Sequence, residues 1–250
     1  MQLHRSLAES CDIYYYLLGR RLGVEGLAAW LQRFGLSVRT GLDPSFEATG
    51  LIGTPDTSRR VRKTPWYPGE AVSLSIGQGP MLATVAQLAR AFAVLANGGL
   101  MVTPHLVSPE QNEISDLKID PQHLAWVRDA LEAVVHGPAG TARRLNAIPM
   151  AGKTGTAQVV RLQEGVSSDE LAPKLRHHAW FVSWAPLEDP ELVVSVIVEH
   201  GGDGGASAAP VAGHVITTFL AQSEGHPLAP PSSVDPPDAP GMTPAEIRDE

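Results

Sequence analysis

Lys153, Thr154, Gly155 and Thr156 form a K-T-G-T run inside Met150–Val160, a stretch that is apolar at both ends. The lysine supplies a fixed positive charge, and threonine hydroxyls donate hydrogen bonds to a carboxylate. Glycine lets a ligand's backbone approach a strand closely. At a sheet edge such a run suits an anionic substrate. It equally fits a solvated lysine on a Thr-rich edge strand, and so short a motif does not choose between the two. A second group, Ser10-Cys11-Asp12, lies far upstream. The Ser10 hydroxyl both donates and accepts, as a proton relay must. Ser10 also reads as a helix-entry cap.

Other residues leave similar choices. Cys11 is a small apolar residue suited to burial. His4 lies seven residues before it and can share a helix face, but two ligands do not make a zinc site. His177 and His178 either orient a cleft or face solvent. Trp66 and Tyr67 either line a groove or fill a small core of their own loop.

Leu7, Cys11, Tyr14, Leu18 and Leu22 recur at helical spacing, which predicts a helix over 5–22 and a second over 24–35. If the first helix opens at Ile13, Asp12 can cap it. Residues 36–72 are rich in Pro, Gly, Thr and Arg and read as a long loop. Ser73–Gly79 ends in glycines. Thr84 caps a helix that runs to Gly98-Gly99. Leu100–Val107 reads as extended, Pro121–His136 as helix and Thr141–Leu145 as a further helical turn. Then the period changes. Met150–Val160, His178–Ala185 and Leu192–Glu199 read as strands, with the continuous apolar run of the last predicting burial on both faces. Ala208–Leu220 reads as a covering helix, and 223–250 as a Pro-rich, acidic, disordered tail. Helices followed by strands predict an α+β fold: residues 1–149 mainly helical, 150–222 strands plus a helix, and a cleft where they meet.

The hydrophobic content of 43% is globular, and a net charge of −8 argues against nucleic acid as a partner. One cysteine excludes an internal disulfide. No apolar run is long enough for a membrane anchor, and the first residues do not read as a signal peptide.

S-x-x-K, S-D-N and K-T-G together mark penicillin-binding proteins and class A β-lactamases. Here the last two correspond to Ser10-Cys11-Asp12, with aspartate for asparagine, and Lys153-Thr154-Gly155. With A-E-S-C-D-I-Y-Y-Y, P-W-Y-P-G-E, S-I-G-Q-G, L-A-N-G-G and G-K-T-G-T-A-Q, residues 3 to about 220 resemble the transpeptidase domain of a monofunctional, class B penicillin-binding protein of the elongation type. The resemblance implies a penicillin-binding/β-lactamase-like fold, a helical subdomain plus an antiparallel sheet. It implies a serine enzyme that cross-links peptidoglycan stem peptides ending in D-Ala-D-Ala and is acylated by β-lactams, with no cofactor. It also implies the periplasmic face of a bacterial inner membrane, with elongation-machinery membrane proteins as partners.

By the same match, Ser10 relays a proton to the leaving nitrogen. Lys153, Thr154 and Thr156 hold the substrate's terminal carboxylate, and Gly155 admits its backbone. The Thr156 N–H is one oxyanion donor, and Asp12 contacts the peptide or the lysine of the family's S-x-x-K element. The family's nucleophilic serine precedes the S-x-N element by tens of residues. The one S-x-x-K match here is Ser115–Lys118, which follows it. The expectation is thus the C-terminal two-thirds of the domain, without the first strands and nucleophile helix, inactive by itself and exposing an apolar face and a sheet edge. The alternatives are a non-catalytic or partner-binding remnant and, less well supported by the motifs, a D,D-carboxypeptidase or β-lactamase relative.

Overall fold

In the computed structural model, which describes residues 2–42, 46–107, 113–160 and 168–223, two positive-φ residues divide the N-terminal helical run. Helix α1 (Leu3–Ala8) closes in a Schellman turn. The Ser10 N–H donates to the Leu7 carbonyl at 3.2 Å, and the Cys11 N–H to the Ser6 carbonyl at 2.9 Å. Ser10 itself has φ +54°. Helix α2 (Asp12–Arg33) follows and kinks at Gly23, φ +70°. The helix expected over 5–22 is therefore two helices, because the backbone reverses at Ser10. Ser10 is not a cap. The residue before α2 is Cys11, which makes no side-chain cap, and Asp12 sits in the first helical turn instead. An acid there is favourable to the helix dipole.

The stretch 36–72 is less irregular than its composition suggests. Pro55–Thr57 forms a helical turn behind a Thr54/Thr57 capping box, Ser58–Arg62 winds as a π-turn, and α3 (Glu70–Leu74) precedes the S-I-G-Q-G segment. Helix α4 (Val85–Ala96) starts from Thr84, whose hydroxyl accepts the Gln87 N–H while the Gln87 side chain accepts the Thr84 N–H. Strands β1 (Leu100–Val102) and β2 (Ile114–Asp116) form a small antiparallel pair, so the extended segment expected to reach Val107 pairs only as far as Val102. Helix α5 (Pro121–His136) is capped by Asp120, and Arg143–Leu145 adds a 3-10 turn.

The main sheet holds β3 (Ala151–Ala157), β4 (His178–Ala185) and β5 (Leu192–Val198), antiparallel in that order. Helix α6 (Ala209–Ser223) follows. Side chains alternate across the sheet. On one face Ala179, Phe181 and Ala185 pack on Val134 and Val135 of α5 and on Ala209, Ala212 and Ile216 of α6. On the other, Trp184 packs with Phe92 and Leu95 of α4. A third cluster, Val24, Ala28, Ile52 and Leu74, joins α2, α3 and the long connection. Trp66 packs against this cluster, whereas Tyr67 is exposed.

The expectation of burial on both faces of 192–199 fails. β5 is half-buried along its whole length. β4 is the buried strand, because it alone has a neighbour on each edge among the described residues. The tail expected over 223–250 lies outside the described residues apart from Ser223, the last residue of α6. Among the described residues no helix is long and apolar enough to cross a membrane.

Candidate active site

Ser10 occupies the corner between α1 and α2. A non-glycine residue in left-handed backbone geometry costs roughly 1–2 kcal/mol, and such residues concentrate at functional sites. Here the corner projects the Ser10 side chain towards the sheet. The Lys153 Nζ donates to Ser10 Oγ at 2.9 Å and to the Thr154 carbonyl, also at 2.9 Å. Burial pushes the Lys153 ammonium down from 10.5 to about 8, and the Asp12 carboxylate opposes that fall. A lysine tuned this way exchanges a proton near neutral pH far more readily than a solvated one.

Around this pair lies a cleft of about 660 Å³. Ser10, Asp12, Lys153, Thr154, Gly155 and Thr156 all line it, so the six residues that the family resemblance gave roles meet in one place. Ser115 and Lys118 do not line it. Ser115 lies on β2, and exposed Lys118 is paired with Asp116 at 2.7 Å. His177 is buried at the cleft wall, donating its N–H to Ser168 Oγ at 2.9 Å, with Nε2 3.3 Å from the Val160 carbonyl. His178 lies against His200 with ring centroids 4.7 Å apart and the ring planes tilted by 54°. His4 lies 3.4 Å from Asp129, and Cys11 lines a separate groove along α2.

Thr141, Tyr15, Asp203 and Gln78 also line the cleft, and the sequence assigned none of them a role in it. Thr141 and Thr154 share a hydroxyl–hydroxyl hydrogen bond of 2.7 Å. Tyr15, whose phenol burial pushes up, reaches Ser6 Oγ at 3.2 Å. Asp203 caps the turn before α6 by accepting the Ala206 N–H at 2.9 Å. Gln78 projects from the S-I-G-Q-G segment onto β3. Only Gln78, set between two glycines, had a local signal. The others enter through tertiary contacts.

A sheet covered by helices on both faces, with Lys-Thr-Gly on its edge strand and a serine opposite, defines the serine acyl-transferase architecture of penicillin-binding proteins. The chain belongs to the penicillin-binding protein transpeptidase family: the model of the penicillin binding protein transpeptidase domain matches residues 1–217.

Among curated relatives, peptidoglycan D,D-transpeptidase MrdA of Acinetobacter baumannii is 35% identical over 243 residues, covering 92% of this chain and 36% of the relative. MrdA of Escherichia coli K12 is 32% identical over 224 residues, covering 82% of this chain and 35% of the relative. The chain thus spans little more than a third of the length of these relatives. Among solved structures it resembles Pseudomonas aeruginosa PBP2 in complex with WCK 5153, with a TM-score of 0.77 at 36% identity over 92% of this chain and 51% of that one. It also resembles Helicobacter pylori PBP2 in its complex with MreC, with a TM-score of 0.78 at 26% identity over 90% of this chain and 41% of that one.

Proposed function

We infer that the cleft is the donor-peptide groove of a peptidoglycan D,D-transpeptidase of the elongation type. The observation that carries this reading is the 2.9 Å contact from Lys153 Nζ to Ser10 Oγ, which joins two segments 143 residues apart. In this reading Lys153 attracts the terminal carboxylate of a D-Ala-D-Ala stem peptide, and the Thr154 and Thr156 hydroxyls complete the grip. Gly155 leaves room for the peptide backbone. The Thr156 N–H stabilises the developing oxyanion. Ser10 passes a proton to the leaving nitrogen, with Lys153 biasing the transfer. Asp12 contacts the peptide or the lysine of the family's S-x-x-K element.

The relatives' naming as peptidoglycan D,D-transpeptidases and the MreC complex of the Helicobacter protein support work in cell-wall synthesis, which we place at the periplasmic face of the inner membrane beside elongation-machinery proteins. The helical part (1–149) and the strand part (150–222) act as the two walls of one groove. The attacking serine does not come from Ser115, which lies outside the cleft. None of the serines described in the cleft, Ser10, Ser73 and Ser75, begins an S-x-x-K run, so in this reading these 250 residues supply grip and proton relay without the covalent step.

A labelled β-lactam and an N-acyl-D-Ala-D-Ala peptide test this. Intact mass should show no stable adduct on this polypeptide. NMR should show reversible peptide binding that Lys153→Ala removes. A covalent adduct, or peptide binding indifferent to Lys153→Ala, would sink the reading.

A further inference from the structure

Gln78 completes the edge of β3. Its Nε2–H donates to the Thr156 carbonyl at 2.7 Å, and its Oε1 accepts the Gln158 N–H at 3.2 Å. These are the two bonds a neighbouring strand would make, supplied by one side-chain amide. Along an antiparallel strand the N–H and C=O of one residue point to the same side, and the side alternates from residue to residue. The Thr156 carbonyl faces Gln78, so the Thr156 N–H faces the same open edge. The Thr154 carbonyl, which accepts from Lys153, belongs to that edge as well.

The segment carrying Gln78 is built to hold it there. The Gly77 N–H donates to the Leu74 carbonyl and the Gln78 N–H to the Ser73 carbonyl, each at 3.0 Å, fastening the turn to the end of α3. Gly77 and Gly79 have φ +73° and +71°, values that glycine adopts without the strain other residues suffer. The sequence G-Q-G is thus a device for turning one amide out of a helix terminus and onto a strand edge.

We propose that Gln78 is a positioning residue of the cleft. It anchors the Thr156 carbonyl and so steadies the strand at residue 156, where the outward Thr156 N–H is held towards the substrate carbonyl oxygen. By occupying the edge at Thr156 and Gln158, it also confines strand-like docking of a peptide to the part of β3 before Gln78. A mobile strand end would present the same N–H in a spread of directions, and misdirected donors lose strength steeply. The proposal rests on the peptide-groove reading above, but its clamp is measurable without it.

The test uses the 15N-labelled chain, an N-acyl-D-Ala-D-Ala peptide, and the variants Gln78→Ala and Gln78→Glu. Gln78→Ala should speed hydrogen exchange at the Gln158 amide at least about tenfold and weaken peptide binding about tenfold, the scale of one lost hydrogen bond. The peptide-induced shift of the Thr156 amide should shrink. The titration of Lys153 should stay where it is, because Gln78 does not contact it. Gln78→Glu keeps the acceptor for Gln158 but sets a carboxylate against the Thr156 carbonyl. It should retain Gln158 protection and still lose the Thr156 response.

If Gln78→Ala binds peptide as the parent does, with the same Thr156 shift, the proposal is wrong. A moved Lys153 titration in Gln78→Ala would also overturn it, by showing general loosening of the cleft. If the parent chain binds no peptide, the groove reading falls instead. The clamp is then judged by Gln158 exchange alone: acceleration in Gln78→Ala upholds it, and unchanged exchange refutes it.

Discussion

Gly204 crosses β3 so closely at Gly155 that a Cβ on Gly204 would strike the carbonyl oxygens of Gly155 and Trp180. The loop after β5 is thereby laid over the cleft strand, and Asp203 is carried to the cleft wall.

Gly204→Ala should therefore lower stability by about 1–3 kcal/mol, the usual cost of forcing atoms into a filled site. Both obstacles are backbone atoms and cannot swing aside. Thermal denaturation measures the loss. An unchanged melting temperature would show that the loop is not pinned to the strand.

Ser10→Gly should behave in the opposite way. Glycine accepts φ +54° without Cβ strain, although it gains freedom in the unfolded chain. The net expectation is unchanged stability or a gain of up to about 1 kcal/mol. Peptide binding should weaken, because Lys153 loses the oxygen that orients it. A clear fall in melting temperature would mean that the Ser10 hydroxyl holds the fold together, leaving no stability sacrificed to the site.

Lys153 gives stability a definite pH dependence. Below about pH 8 the lysine is protonated in both folded and unfolded chains, and the folded chain bears the cost of a buried ammonium. From about 8 to 10.5 the unfolded chain holds more protons, so stability should rise with pH and then level off. Asp12→Asn removes the carboxylate that keeps the ammonium charged. The Lys153 midpoint should then drop below 8, and the rise should begin at lower pH. Denaturant midpoints across pH 7–11, with NMR of the lysine, check both statements. Stability that falls across this window in a manner abolished by Lys153→Met would refute the assignment.

The outer face of α2 offers a test of association. Ile13 is 68% exposed and Leu17 56% exposed, and both line an apolar groove. Exposed apolar patches promote association. Replacing both with lysine should reduce self-association in sedimentation or light scattering without lowering the melting temperature. A lower melting temperature would show that these side chains pack within the monomer.

Much of the site was readable in the chain because its chemistry is local. Lys153-Thr154-Gly155-Thr156 and Ser10-Cys11-Asp12 are contiguous runs of distinctive residues. The Thr84 cap, the Gly98-Gly99 stop and the apolar strand runs obey short-range rules. Where the reading slipped, the cause was a longer-range choice. Helical periodicity continues through Ser10, yet the chain turns there because the Cys11 N–H closes back on Ser6. An apolar run marked 192–199 as a strand but not that it lies at the sheet's edge among the described residues, since position within a sheet depends on which strands pair.

The sequence by itself determined which groups are available: an ammonium, hydroxyls and a carboxylate, on a strand and at a helix entry. Only the tertiary structure decided that they meet. Hydrogen bonds and proton transfer act over about 3 Å, and closing that gap across 143 residues depends on how helices pack on both faces of a sheet. The same packing dries Lys153 enough to shift its proton. It also lays Thr141 and Asp203 around the cleft, and nothing in their immediate sequence neighbours encodes those contacts.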